Sequence, residues 1–555
     1  MQNSCKNCGL GFEITKEDLS FLDKLSPVLN GEKKLLPPPK DCPPCRQMRR
    51  MSFRNERMLH ERKCDVTGKD IISVHAPDSP FTICEKDHWY SDKFDPLAYG
   101  RKYDFSRPFF EQFADLERSM PLPSLRVERS ENCDYNNDMR DCNNCYLCAR
   151  THMSQNLMYT YRGNKSTDSV DCMQITNCEY LYECTECVGC YNSKYLFFCS
   201  ECNDSAFLLD CRNCSDCFMC TNLRNKKYHF LNEELTKEEY EKKLAEFDFG
   251  AYHMVQKAYQ MYADIKKKAI RRDLMIINTE SSSGDNLFEC KNCAMCFSAQ
   301  QTQDSRHLWD VKLYTDSMDA YSGGRDSERI YFATAAAASH NVQFCLRSSN
   351  SHDVRYSFFI NSSHDVFGCI GLKREEYCIL NKRYSKDEYD ELLPRIITHM
   401  METGEWGEFF PASISPFPYN ETVAQEYFPL SKEEATEKGY RWHDRDPKNY
   451  QKQTYEIPNC IDDVQDEITK VILACENCEK NYKIVPQELA FYKKHRLPIP
   501  RLCFDCRHME RFGTRNPPRL REDKCKKCSK DITTTFPKET EMQVYCEECY
   551  LKEVY

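Results

Sequence analysis

Residues 178–220 read CEYLYECTECVGCYNSKYLFFCSECNDSAFLLDCRNCSDCFMC. Cys178, Cys199 and Cys220 stand 21 residues apart, and Cys190 and Cys211 repeat that step between them. Phe197 and Phe218 keep the register, as do Asn192 and Asn213. A fixed period of this size means one supersecondary unit stacked on copies of itself. The steps between ladder cysteines alternate 12 and 9, which suits short strands between turns rather than a helical repeat. The expected fold is therefore mainly β: a central parallel β-solenoid (right-handed β-helix) in two duplicated halves, with capping and inserted helices and metal ribbons at both ends. At 21 residues per coil the two halves would hold roughly eight coils.

Asn-Cys dipeptides recur at 132–133, 144–145, 177–178 and 213–214, which suits turns where asparagine stacks on asparagine. Cysteine is small and apolar enough to fill a narrow interior. The rival reading is iron–sulfur ligation. Cys211, Cys214, Cys217 and Cys220 are spaced by three, as are Cys142, Cys145, Cys148 and Cys184, Cys187, Cys190. No run carries the Cys-Pro ending of such sites, and the repeat accounts for the same positions without a cluster. Core packing is the reading carried forward.

Beyond the ladder, the 36 cysteines among 555 residues come without an apolar N-terminal segment or an apolar run of the roughly 18 residues a membrane span needs. The expected compartment is cytoplasmic, where thiols stay reduced and serve as metal ligands or buried groups. A net charge of −10 argues against a coat protein for nucleic acid but allows local basic patches.

Both ends carry paired Cys-x-x-Cys knuckles. Cys5, Cys8, Cys42 and Cys45 supply four thiolates for a closed tetrahedral Zn²⁺ site, and Cys475, Cys478, Cys503 and Cys506 supply another. A third set follows, Cys525, Cys528, Cys546 and Cys549, for about three Zn²⁺ per chain. Few apolar residues accompany each set, so metal would contribute most of the local folding free energy. The N-terminal counterpart of the third set is degenerate. Cys64 and Cys84 remain, but Thr67 stands where Cys528 stands and Asp87 where Cys549 stands. Asp87 or His88 could complete a fourth site, or the ribbon is a metal-free relic.

Arg46, Arg49, Arg50, Arg54 and Arg57 follow the second knuckle at helical spacing, and Arg507, Arg511 and Arg515 repeat part of the pattern at the other end. Arginine at this density reads as a solvated helix face or as a strip tracking a polyanion.

The middle of the chain is also duplicated. Leu223, Tyr228, Leu231, Asn232, Thr236, Glu239 and Tyr240 return 149 residues later as Leu372, Tyr377, Leu380, Asn381, Ser385, Glu388 and Tyr389. Thr236 with Glu239 forms a capping box that starts a helix. Ser106-Arg107-Pro108 resembles another helix start, whose Phe109, Phe110, Phe113 and Leu116 face would cap the open first coil. Ser339-His340, Ser351-His352 and Ser363-His364 recur every 12 residues, as a histidine column for metal or protons or as stacked turn residues.

The predicted domains are an N-terminal ribbon module at 1–105, a helical cap at 106–129, solenoid half one at 130–222 and a helical insertion at 223–280. Solenoid half two follows at 281–371, a helical echo at 372–402, a proline- and aromatic-rich connector at 403–470 and tandem ribbons at 471–555.

Phe12-x-Ile14, Leu19-x-Phe21 and the matching Tyr482-x-Ile484, Leu489-x-Phe491, each with Cys-x-x-Cys-Arg, resemble the probable-zinc-ribbon domain family. With Arg107 to Phe113, Gly404 to Pro411 and Leu497 to Cys503, nearly the whole chain resembles large zinc-ribbon proteins of candidate-phyla bacteria. The resemblance implies zinc at the matching cysteines and brings no activity, substrate or partner.

The expectation that follows is a zinc-binding, non-enzymatic scaffold whose arginine strips meet RNA, a ribonucleoprotein or an acidic protein, with no membrane partner. The alternatives are a β-solenoid enzyme acting on carbohydrate and a self-assembling structural protein. No spacing of carboxylates or histidines in the sequence demands catalysis.

Overall fold

A computed structural model describes residues 1–444, 450–538 and 542–555. The chain forms two compact units. One contains Met1–Leu125, Leu274–Asp444 and Pro518–Leu520; the other contains Arg126–Asp273 and the described residues of Arg445–Pro517 and Arg521–Tyr555. Each unit is a β-solenoid with cysteine ribbons docked on it. The pairing is crossed: the N-terminal ribbons pack in the unit of the second solenoid half, and the C-terminal ribbons in the unit of the first.

The solenoid coil has 12 residues, not 21. Four parallel ladders begin three residues apart, with Asn143 pairing to Gln155, Tyr146 to Met158, Ala149 to Tyr161 and His152 to Asn164. Every third residue turns the chain through the left-handed region, for example Asn144, Leu147, Arg150 and Met153. The residue after each such corner points inward. A step of 21 is then one coil plus three of its four sides, which is why alternating 12s and 9s carried the true coil inside a longer apparent period. Shorter coils mean more of them than the eight expected.

The inward set accounts for the ladder cysteines. Cys172, Cys178, Cys184, Cys187, Cys190, Cys199, Cys202, Cys211, Cys214, Cys217 and Cys220 are free thiols buried in one apolar column with Ile175, Leu181, Leu196 and Leu208. Left-handed corners are costly for most residues. The interior compensates by satisfying the backbone there. The Cys178 thiol donates to the carbonyls of Thr176 at 3.3 Å and Cys187 at 3.5 Å. Ser166, one coil earlier in the same column, donates to the Asn164 carbonyl at 3.0 Å and accepts from the Cys178 amide at 3.2 Å. Cysteine and serine share these columns because both are small and both donate.

Asparagine stacking runs at the 12-residue step. Asn132 donates to Asn144 at 2.8 Å and Asn156 to Asp168 at 3.0 Å. Asn213 stacks with Asn225 rather than with Asn192.

The second half repeats this plan with a first coil of 11 residues, where Ile276 pairs with Leu287, and a later coil of 13, where Met318 pairs with Tyr331 and Ala320 with Ala333. Tyr314 lies fully buried in the interior there, its hydroxyl donating to the Ala336 carbonyl at 2.6 Å. Both halves end in a short antiparallel hairpin and then a helix with a complete capping box, Thr236 with Glu239 before Lys237–Leu244 and Ser385 with Glu388 before Lys386–Glu402.

The Phe109–Ser119 helix does not cap the first half. Phe109 meets Phe367 at 5.3 Å between ring centroids and Phe113 meets Phe358 at 4.8 Å, so it covers an aromatic face of the second half. Ser106 is not its cap. The Glu405 carboxylate accepts from the amides of Phe109 and Phe110 at 2.8 and 2.7 Å, a negative charge placed at the helix start.

Candidate metal centres

Three sets of four cysteines converge. In Cys5/Cys8/Cys42/Cys45, Cys475/Cys478/Cys503/Cys506 and Cys525/Cys528/Cys546/Cys549 the sulfurs of each set all lie within 4.8 Å of one another. Each set takes its first pair from a knuckle and its second pair from the start of a helix: Pro43–Met51, Phe504–Phe512 and Glu547–Val554. Cys8 and Cys42 sulfurs are 3.8 Å apart, Cys478 and Cys503 3.7 Å, and Cys528 and Cys546 3.8 Å. A tetrahedron with metal–sulfur bonds of about 2.3 Å has edges of about 3.8 Å. These spacings fit a metal tetrathiolate and are far too long for disulfides.

Amides point at the sulfurs. The Cys42 amide donates to Cys5 Sγ and the Cys546 amide to Cys525 Sγ, both at 3.3 Å. Burial opposes ionisation of Cys475 and Cys525, but surrounding amides outweigh it and hold the thiols down to about 7 and about 6. Cys42 falls to about 5, chiefly through its hydrogen bond with Cys45. Each set thus holds a thiol that ionises more readily than a free cysteine, as metal binding requires.

The degenerate ribbon keeps its knuckle without assembling a site. The amides of Thr67 and Glu85 still donate to Cys64 Sγ at 3.3 and 3.2 Å, and Gly68 keeps the left-handed turn. Cys84 is pushed up to about 12 by burial. Asp87 is exposed and paired with Lys86. Among the described residues, Cys64, Cys84, Asp87 and His88 form no metal-binding group.

The arginine strips are not solvent-facing. Arg46 Nε donates to Asp319 Oδ2 at 2.7 Å and Arg50 Nη1 lies 3.1 Å from Oδ1, with side-chain exposures of 3%, 1% and 0% for the three residues. Arg507 and Arg511 reach Asp171 in the same way, at 3.0 and 2.9 Å. Asp171 and Asp319 occupy equivalent corners of the two halves, both left-handed. Even the accessory bonds match, since Arg46 donates to the Asp41 carbonyl and Arg507 to the Leu502 carbonyl, each at 2.8 Å. Burial is the largest influence on Arg46 and lowers its pKa, but the Asp319 charge and hydrogen bond together with Tyr331 and Asp18 outweigh it and leave the pKa raised. Arg54 pairs with Glu56 at 2.7 Å, and Arg515 lies 3.5 Å from Glu186. Arg49 meets the Tyr440 hydroxyl and the Phe410 carbonyl, each at 3.3 Å. Arg46, Arg50, Arg507, Arg511 and Arg515 fasten ribbon to solenoid, and Arg49 ties its helix to the connector. A polyanion would have to displace buried carboxylates to reach Arg46, Arg50, Arg507 or Arg511.

The serine–histidine repeat splits by face. Ser351 and Ser363 accept from the amides of Ser363 and Glu375 inside the coil, while the histidines stack outside, His352 and His364 being 4.7 Å apart and nearly parallel. His352 and His364 pair with Asp353 and Asp365 at 3.0 and 2.9 Å.

The unit of the first half also holds an open cleft of about 750 Å³. Tyr180, Tyr182, Phe249 and Phe491 line it with the carboxylates of Glu241 and Asp248. The Lys194 amine on its wall is pushed down to about 8 by burial. Nothing local in the sequence joins these residues.

No helix among the described residues is long and apolar enough to cross a membrane. No protein-family model matches the chain, and no curated protein matches it. A solved structure described as "putative acetyltransferase from Desulfovibrio desulfuricans G20" is similar at 8% identity, over 50% of this chain and 82% of that one. Its TM-score of 0.11 carries no argument.

Proposed function

We propose that the protein is a non-enzymatic, zinc-binding scaffold in which each solenoid half is clamped by a zinc-ribbon module, consistent with the zinc-ribbon resemblance of its ends. The observation that carries the reading is the repeated clamp, two arginines from the helix after the second knuckle closing on one buried aspartate of the solenoid. Zinc fits because all-thiolate tetrahedral sites select soft or borderline ions, and closed tetrathiolates are structural rather than catalytic. The ions hold the knuckles, the knuckles start the helices, and the helices deliver the arginines. The test is metal removal from the full chain by a chelator. Loss of zinc should release the ribbons, read as new protease cleavage within 1–54 and 471–555, while the 130–222 and 281–371 segments stay resistant. Ribbons that remain resistant without metal would refute it.

The proposed RNA, ribonucleoprotein or acidic-protein partner passes to other cations. Lys524, Lys526, Lys527 and Lys530 are exposed around Cys525 and Cys528 on the last ribbon. Salt-sensitive RNA binding abolished by K526E/K530E would support that surface. A carbohydrate enzyme is the second reading, favoured by the aromatic cleft with Glu241 and Asp248, since sugar faces stack on aromatic rings and glycosyl transfer uses paired carboxylates. Glycan turnover lost in E241Q would move the function there.

A further inference from the structure

His60, Glu421 and His443 bring one donor atom each to within 4.8 Å of one another, all in the unit of the second solenoid half. His60 opens the strand His60–Lys63 of the degenerate ribbon, and Glu421 ends the short turn Tyr419–Glu421 of the connector. The Glu421 carboxylate is 1% exposed, and both its oxygens lie 3.0 Å from His60 Nε2. His443 Nε2 stands 3.9 Å from Oε1, too far for a hydrogen bond. Its other nitrogen, Nδ1, faces Asp78 at 3.4 Å. Asp78 thus stands on the side of His443 away from the cluster, the position from which outer carboxylates orient metal-binding histidines.

The donors are held in place before any ion arrives. The His443 amide donates to Asn420 Oδ1 at 3.0 Å, and Asn420 Nδ2 returns a bond to the His443 carbonyl at 2.9 Å, so His443 is tied to the residue preceding Glu421. The imidazoles meet edge to face, 5.5 Å between centroids and 82° between planes. With side-chain exposures of 19% and 17%, the two histidines leave one side of the cluster open to solvent.

We propose that His60, Glu421 and His443 form a binding site for a divalent first-row transition ion, with water completing its coordination. Two imidazoles and a carboxylate are a donor set for Zn²⁺, Co²⁺ or a neighbouring ion rather than for Mg²⁺ or Ca²⁺. The internal duplication places the site in context. In the C-terminal copy Arg521 stands where His60 stands, bonding to Asp523 and the Phe536 carbonyl, and its ribbon keeps four cysteines. In the N-terminal copy the ribbon has lost two ligands, and His60, four residues before Cys64, reaches a carboxylate 361 residues away instead. The ion would fasten this ribbon from outside its own knuckles.

The experiment titrates Co²⁺ into the full chain carrying three zinc ions, one for each cysteine set, and follows its absorption. One equivalent is expected to bind with weak d–d bands and without the intense thiolate-to-cobalt band that exchange at a cysteine site would produce. H443Q and E421Q should each abolish that equivalent while the zinc content of the three cysteine sets stays unchanged, which separates loss of a ligand from loss of the fold. Absence of uptake, uptake only at millimolar cobalt, uptake unchanged in both variants, or uptake appearing only with the thiolate band would each overturn the proposal.

Discussion

The Nε of Arg46 lies 2.7 Å from Oδ2 of Asp319, a residue 273 positions further along the chain. Both side chains are buried, and Arg50 approaches the other oxygen of the same carboxylate. The same clamp closes on Asp171 from Arg507 and Arg511. A clamp present twice in one chain, each time between a ribbon helix and a solenoid corner, makes the ribbon and solenoid a single duplicated unit. It also makes the crossed assembly possible, because either ribbon carries the arginines that either corner accepts.

Removing one partner of a buried ion pair leaves charge without compensation and typically costs about 3–5 kcal/mol. Asp319→Ala should therefore destabilise the unit of the second half by that order and raise hydrogen exchange in the Pro43–Met51 helix. Asp171→Ala should do the same for Phe504–Phe512. Replacing Arg46, Arg50 and Asp319 together with apolar residues of similar volume should recover much of the loss. Equal exchange in wild type and D319A would show that the clamp does not hold the ribbon.

The two classes of cysteine should separate under substitution. On the proposed zinc reading, Cys478→Ser removes one of four thiolates from its cluster and should lower the zinc content by one per chain, as read by elemental mass spectrometry. Cys178→Ser should leave the zinc content unchanged and cost no more than about 1 kcal/mol, because a hydroxyl can make the bonds Ser166 makes one coil earlier. A metal loss in C178S would return the ladder to the cluster reading.

How much of this was legible follows from the range of each interaction. The knuckles were, because four thiolates at Cys-x-x-Cys spacing are a local pattern with one common chemical purpose. The solenoid was, because repetition survives without knowledge of any contact. Its coil length was not. The run Cys211, Cys214, Cys217, Cys220 displays the inward step of three, but that spacing also belongs to iron–sulfur ligands, and the 12-residue coil is masked because 21 is one coil plus three sides and so also superposes cysteine on cysteine. The arginine strips failed for a different reason. Helical spacing shows that Arg46 and Arg50 share a face, but what that face meets is set by an aspartate in a distant solenoid. His60, Glu421 and His443 were out of reach for the same cause.

Gly323 occupies an inward position beside Tyr314, where a Cβ would overlap the Tyr314 hydroxyl and come within 2.5 Å of the Ala336 oxygen. Its φ is ordinary, so the demand is for space and not for backbone freedom. Gly323→Ala should destabilise by about 1–3 kcal/mol, as overpacking of a close-packed interior does. Gly324→Ala, whose added carbon would meet nothing nearer than 3.6 Å, is the control and should be neutral. Tyr314→Phe should rescue Gly323→Ala only in part, since the ring and the Ala336 oxygen remain. The comparison needs only thermal denaturation of the four variants.

His75 gives the fold a pH dependence with a definite sign. Its ring is buried against Phe417, stacked at 4.9 Å and 18°. Burial first, and then the charges of Arg62 and Arg441, push its pKa down to about 3. Unfolded, the same imidazole titrates near 6.5. Below that value the unfolded chain takes up a proton that the folded chain refuses, so stability held in full above pH about 6.5 is lost as pH falls toward 3, by about 1.4 kcal/mol per pH unit. His75→Phe keeps the stack and removes the titration. Urea midpoints measured between pH 7 and 4.5 should fall more steeply for wild type than for H75F, and the difference isolates His75 because thiolate protonation at the ribbons acts on both proteins alike. Parallel slopes would mean that the imidazole is charged in the folded protein.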